Sequence, residues 1–166
     1  MGLSRNIAAG GVLRSGTAVS ASGTSVDFTG IPSWVKRITV MFSGVSLSGT
    51  SNYLIQLGDS GGIETTGYTS TGSFYNGSNQ TSALSSTSGF VINVASTASI
   101  ITAGQMVLTL VGSNTWISAH NTAISTTSVG NGAGNKALSD VLDRVRITTV
   151  NGTDTFDAGT INILYE

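Results

Sequence analysis

The stretch QMVLTLVGSNTWISAH, residues 105–120, decides the fold. In an extended chain successive side chains point to opposite faces. QMVLTLV therefore sets Met106, Leu108 and Leu110 on one side and Val107 and Val111 on the other. Gly112, Ser113 and Asn114 read as a three-residue hairpin loop, and TWISAH (115–120) returns as the second strand. A strand of an isolated sandwich needs only one buried face. Two apolar faces call for a second cover, either loops or a neighbouring subunit, and the subunit interface is the expectation here.

Outward from this hairpin the same two-residue pattern continues. TSVDF (24–28) is short and alternating, and GIPS, with the only proline, interrupts it. WVKRITVMF (34–42) is rich in β-branched and aromatic residues and lines up Trp34, Ile38, Val40 and Phe42. YLIQLG (53–58), GYTSTGSFY (67–75), GFVINV (89–94) and DRVRITTV (143–150) are further strand candidates. TTSVGNGAGNKA (126–137) reads as a flexible glycine-rich loop. TINILYE (160–166) puts Ile161, Ile163 and Tyr165 on one face, as expected of a strand held inside a sheet. No segment keeps helical spacing, and the nearest, ASTASIITAG, is short and β-branched. The prediction is an all-β, antiparallel β-sandwich or barrel over residues 17–166, preceded by an N-terminal arm at residues 1–16.

Composition narrows the function. Charged residues are 9% of the chain, against roughly 25% in an average soluble domain, so hydroxyls and amides must keep the surface wet. With a net charge of −1 there is no basic field to attract nucleic acid. The absence of cysteine removes disulfides, thiolate catalysis and cysteine-ligated metals. No apolar run reaches the roughly 18 residues of a membrane span, and none at the N-terminus has signal-peptide length. No membrane insertion is expected.

Several short motifs invite chemistry. Gly58-Asp59-Ser60-Gly61-Gly62 matches the surroundings of a reactive serine and the G-x-S-x-G elbow. The elbow needs a helix after the serine, and the hydroxyl needs a base with an orienting acid. His120 is the sole histidine, and Glu64 is the only acid between it and Ser60. Ser60 therefore reads as a loop residue. GNGAGNK lacks the Gly-Lys-Ser/Thr ending of a phosphate loop. DTFDAG only loosely resembles a calcium loop, and Asp143 or Asp157 is expected to pair with Arg144 or Arg146. No catalytic residue, cofactor or metal is assigned.

One positive signal is aromatic rings set among amides and hydroxyls. Tyr68, Phe74, Tyr75, Asn76 and Asn79 form one such group, and Trp116 and His120, with Asn121, another. A ring packs on the apolar face of a sugar while amides bond its hydroxyls. These residues are candidates for surface recognition of a host glycan; the competing and favoured reading makes Trp116 and Phe74 core residues.

DFTGIPSWVKRITVMFSGVS (27–46), GTSNYLIQLG (49–58) and LDRVRITTVNGTDTFDAGTINILYE (142–166) resemble a recurrent module of tailed-bacteriophage virion proteins. The module occurs alone and at the ends of tail-fibre proteins, and the similarity covers about residues 17–166. It implies a jelly-roll-like sandwich, a homotrimer and a virion location, on a tail fibre or the capsid surface. It carries no catalytic residues. The expected role is a non-enzymatic surface or fibre-tip module whose residues 1–16 dock on other virion proteins. The alternatives are a capsid decoration protein and a polysaccharide-degrading enzyme. The enzyme would need two carboxylates roughly 5–10 Å apart, from Glu64 or the late aspartates. No coiled-coil, collagen-like or β-helix repeat is present, so no shaft is expected.

Overall fold

Alternating apolar residues build strands throughout, and a computed structural model describes them for residues 13–78, 81–94, 97–98 and 100–166. In chain order they are β1 (Arg14–Ser15), β2 (Val19–Ser20), β3 (Val26–Thr29), β4 (Arg37–Leu47), β5 (Tyr53–Asp59), β6 (Gly62–Ile63) and β7 (Tyr68–Asn76). Then follow β8 (Thr81–Ser86), β9 (Phe90–Ile92), β10 (Thr102–Gly112), β11 (Thr115–Ser125), β12 (Ser128–Ala137), β13 (Arg144–Thr149) and β14 (Phe156–Tyr165). No helix occurs among the described residues.

All pairings are antiparallel. A nine-stranded sheet runs β1-β14-β4-β10-β11-β12-β7-β8, with β2 also on β14. A five-stranded sheet runs β3-β13-β5-β6, with β9 also on β5. The architecture is all-β and sandwich-like. Ile38, Val40, Phe42, Met106, Leu108, Ile161 and Ile163 form one wall of the core. Val26, Phe28, Tyr53, Ile55, Leu57, Val145 and Ile147 form the other. Each large side chain so buried stabilises the fold by roughly 1.5–3 kcal/mol. Tyr53 joins the walls: its ring stacks on Phe42 at 6.0 Å and meets Phe156 at 5.8 Å, and its hydroxyl donates to the Val45 carbonyl at 2.8 Å. Burial pushes this phenol up to about 12.

The expected faces hold. Met106 and Leu108 are buried and Leu110 packs on the core, while Val107 is half-buried and Val111 exposed on the opposite side. β14 sits inside its sheet between β4 and the short β1 and β2, with Ile161 and Ile163 buried. Trp34 departs from the expected face. It precedes β4, is 44% exposed, and lies against Tyr165 with the Arg14 guanidinium 6.0 Å from its ring. Arg14 and Ser15, assigned to the arm, pair with Tyr165 and Leu164. Residues 1–12 of the arm lie outside the described residues.

Two local expectations are overturned. The β10–β11 connection is a two-residue turn, because Gly112 pairs with Thr115 and only Ser113 (φ 45°) and Asn114 (φ 59°) lie between. Two successive positive φ angles give the turn whose twist matches the flanking strands. A bulge between Leu110 and Gly112 takes up the extra residue.

The glycine-rich loop is in fact β12, paired along its length with β11 and β7. Its glycines alternate. Gly130, Gly132 and Gly134 face inward, and Val129, Asn131, Ala133 and Asn135 are exposed. A methyl group on Gly132 would overlap the His120 ring and the Thr71 carbonyl, and one on Gly134 would overlap the Thr69 carbonyl and meet Phe90. On the neighbouring strand a Cβ at Gly72 would stand 2.7 Å from the Val91 carbonyl. The glycines mark a close approach of backbones and rings, one of the uses of strand glycine.

Candidate functional site

Gly58 pairs with Ile63 and Asp59 with Gly62, so Ser60 and Gly61 are the tip of a tight β5–β6 hairpin. Asp59 Oδ1 accepts from the Gly61 N–H at 2.8 Å, the self-bonding that makes aspartate a turn former. Ser60 is exposed on this tip. His120 lies in the middle of β11, in the other sheet, buried among core residues with no hydrogen-bond partner for Nε2. The structure does not bring the two together. No helix follows Ser60, so the elbow geometry is absent there.

The hairpin instead anchors a polar network. The Ser139 hydroxyl lies 2.7 Å from Asp59 Oδ2 and 2.8 Å from Glu64 Oε1, and the Ser139 N–H donates to the same Glu64 oxygen at 2.7 Å. Glu64 Oε2 forms an ion pair with Lys136 Nζ, whose side chain is buried. Lys136 also sits 5.4 Å from the centre of the Tyr68 ring. Tyr68 in turn donates from its hydroxyl to the Glu64 carbonyl at 3.0 Å and accepts from the Leu57 N–H at 2.7 Å.

Both carboxylates of this network are ionised. Hydrogen bonds from Ser139 and Gly61 hold Asp59 below the usual carboxylate range. Burial works against the charge on Glu64, and Lys136 together with Ser139 outweighs it, so this group too is lowered. Cleaving a glycosidic bond takes one carboxyl that stays protonated near neutral pH, and neither of these does. The arrangement clamps the β5–β6 hairpin of one sheet to the end of β12 in the other. The network has no compact sequence signature because Asp59 and Glu64 lie more than seventy residues from Lys136 and Ser139. Only the inward parity of Lys136 on an alternating β12 could have signalled it.

The recognition candidates divide by burial. Tyr68, Trp116 and His120 are 3%, 2% and 7% exposed, and they belong to the interior. This corrects their assignment to the surface. Each has inward parity on its strand: Lys136 of β12 pairs with both Trp116 and Tyr68, while His120 pairs with Met106 and Gly132. Tyr68 further packs edge-on against Phe90 at 5.1 Å. Burial drives the His120 pKa down to about 4, so the imidazole is neutral. Phe74 is half-buried against the core. Tyr75 is 46% exposed and pairs with the exposed Val129, beside the Ser73 hydroxyl bonded to Asn131 at 2.7 Å. Asn76 accepts from the Ser78 N–H at 3.0 Å. Asn79 lies outside the described residues.

The arginines of β13 pair with carboxylates at the five-stranded sheet. Arg144 takes Asp143 through two bonds, at 2.6 and 3.0 Å, as expected. Arg146 takes Asp27 of β3, at 2.8 and 2.7 Å, a partner only the β3–β13 register supplies. Asp157 accepts instead from the Ser46 hydroxyl. Among the described residues no group of three or more His, Asp or Glu is placed to hold a metal ion.

The outer face of the nine-stranded sheet is of another kind. Across β10, β11, β12, β7 and β8 the only Lys, Arg, Asp or Glu is Lys136, and it points inward. Comparison with protein-family models, with curated proteins and with solved structures finds no match.

Proposed function

We propose that this chain is a non-enzymatic structural protein of a tailed-bacteriophage virion. It is a homotrimeric, jelly-roll-like surface or fibre-tip module, joined to other virion proteins through residues 1–16. The supporting observation is how the stretches that resemble the phage module lie in the fold. Residues 27–46 and 142–166 are far apart in the chain, yet β3 pairs with β13 and β4 with β14. The similarity thus falls on two hydrogen-bonded groups of strands, β3-β13-β5 in one sheet and β4-β14 in the other, rather than on scattered turns. A surface wet by hydroxyls and amides, on a chain only 9% charged, agrees with a role in assembly.

The end of the sheet at Tyr75 and Asn76, with Phe74 behind them, is the part of the recognition set left for host-surface glycan. Gold-labelled antibody against the chain, applied to purified particles of the phage encoding it, tests the reading. Label at fibre tips is the expected result. Label spread over the head makes the chain a decoration protein, and particles without label overturn the virion role.

A further inference from the structure

We propose that the outer face of β10, β11, β12 and β7 is the surface on which a second copy of this chain docks. The inference rests on the oligomeric reading above and assigns it a place. Register fixes what this face presents. One row across the strands is Thr109, Ile117, Asn135 and Thr69; the next is Val107, Ala119, Ala133 and Thr71; the third is Gln105, Asn121, Asn131 and Ser73.

Three properties of these rows select the occupant. First, they hold no charge, and depletion of charged residues is the mark of an interface core. Water-facing strands elsewhere in the chain do carry ion pairs, so the neutrality is local. Second, the rows are self-complementary. Gln105, Asn121 and Asn131 each carry donor and acceptor on one amide, so the same row on another copy can satisfy them. The middle row is Val, Ala, Ala and Thr, small enough for two sheets to approach at the roughly 10 Å of stacked sheets. A shallow hollow of about 460 Å³ beside it, lined by Ile117, Ala133 and Asn135, gives a partner's side chain a seat.

Third, the size is right. Four strands at roughly 4.8 Å spacing and about nine residues long cover on the order of 600 Å². The smaller standard interfaces take about 600 Å² from each partner. A charged macromolecule would find no countercharge here, whereas another copy brings the same neutral rows.

The test uses the full chain. Sedimentation of the wild type is expected to give an oligomer, and the variant carrying Ala119→Glu and Ala133→Glu a monomer of 16.8 kDa with unchanged far-ultraviolet circular dichroism. Both alanines are exposed in the single chain, so the charges perturb association and not the core. Because the chain has no cysteine, Ala119→Cys supplies a second readout. Its modification by a maleimide is expected to be at least tenfold slower than that of Thr153→Cys in an exposed turn. A monomeric wild type overturns both the oligomer and this face. An oligomer that survives the double substitution, or equal labelling rates, overturns the face alone.

Discussion

The five-stranded sheet and the run of strands from β10 to β8 in the nine-stranded sheet turn opposite kinds of surface outward. The five-stranded sheet carries Asp27 with Arg146 and Asp143 with Arg144 where water reaches them. Five neighbouring strands of the nine-stranded sheet carry one ionic side chain, Lys136, and it is buried against Glu64. A charge costs little where it stays hydrated and several kcal/mol where it does not. The placement of charge therefore separates a face that carries ion pairs in water from the neutral face proposed to dock a second copy.

The comparison breaks first at its exception. Glu64→Ala leaves the Lys136 ammonium buried without its partner and is expected to cost about 4 kcal/mol in chemical denaturation. Adding Lys136→Met in the same chain should restore most of the loss, and if it does not, the clamp is not electrostatic.

The two faces of β12 offer the next contrast. Gly132→Val drives a branched side chain into the His120 ring and the Thr71 carbonyl, at about 3 kcal/mol. Ala133→Val, one residue along on the outer face, is expected to stay within roughly 0.5 kcal/mol. Equal costs would mean that the inner glycines are not packed as described.

Acidification probes the neutral interior. His120 titrates near 4 when folded against 6.5 for a free imidazole, so the unfolded chain binds the extra proton between these values. Stability is full above pH 6.5 and falls as the pH drops toward 4, by about 2 kcal/mol at pH 5. His120→Gln should flatten that window. Lowered carboxylates such as Asp59, Asp143 and Asp154 act only below it, since each lies under 3.8.

The smallest effect belongs to the solvent face. Arg146→Ala removes a half-exposed pair and is expected to cost about 0.5 kcal/mol, less at high salt. A loss of several kcal/mol would show that this sheet, too, leans on its charges.

Strand alternation made most of the fold legible. Residues 105–111, 37–42 and 160–166 show their faces in parity alone, and parity survives without knowledge of partners. Residues 126–137 mislead because a glycine-rich run has the composition of a flexible loop, whereas here it is a paired strand. What the inner face of β12 needs is the absence of a side chain, and that need comes from His120 and Phe90 on other strands. The site was legible only in part. Tyr75 is exposed as expected, yet Tyr68, Trp116 and His120 have rings that suit a buried position as well as a sugar. The Asp59–Ser139–Glu64–Lys136 network, like the Asp27–Arg146 pair, is a product of register and has no local signature.

The position of β14 has a consequence for how the molecule is made. It seals the edge of β4, pairing Asn162 with Met41 and Ile163 with Val40 across more than a hundred intervening residues. Until the ribosome has released residues 156–165, a nascent chain holds β4 with one flank open, and Ile38, Val40 and Phe42 lack their final neighbours. Closure of this sheet therefore waits for residues more than a hundred positions downstream of β4 and is governed by long loops rather than local hairpins. A cell making many copies at once must keep those open flanks from finding each other first.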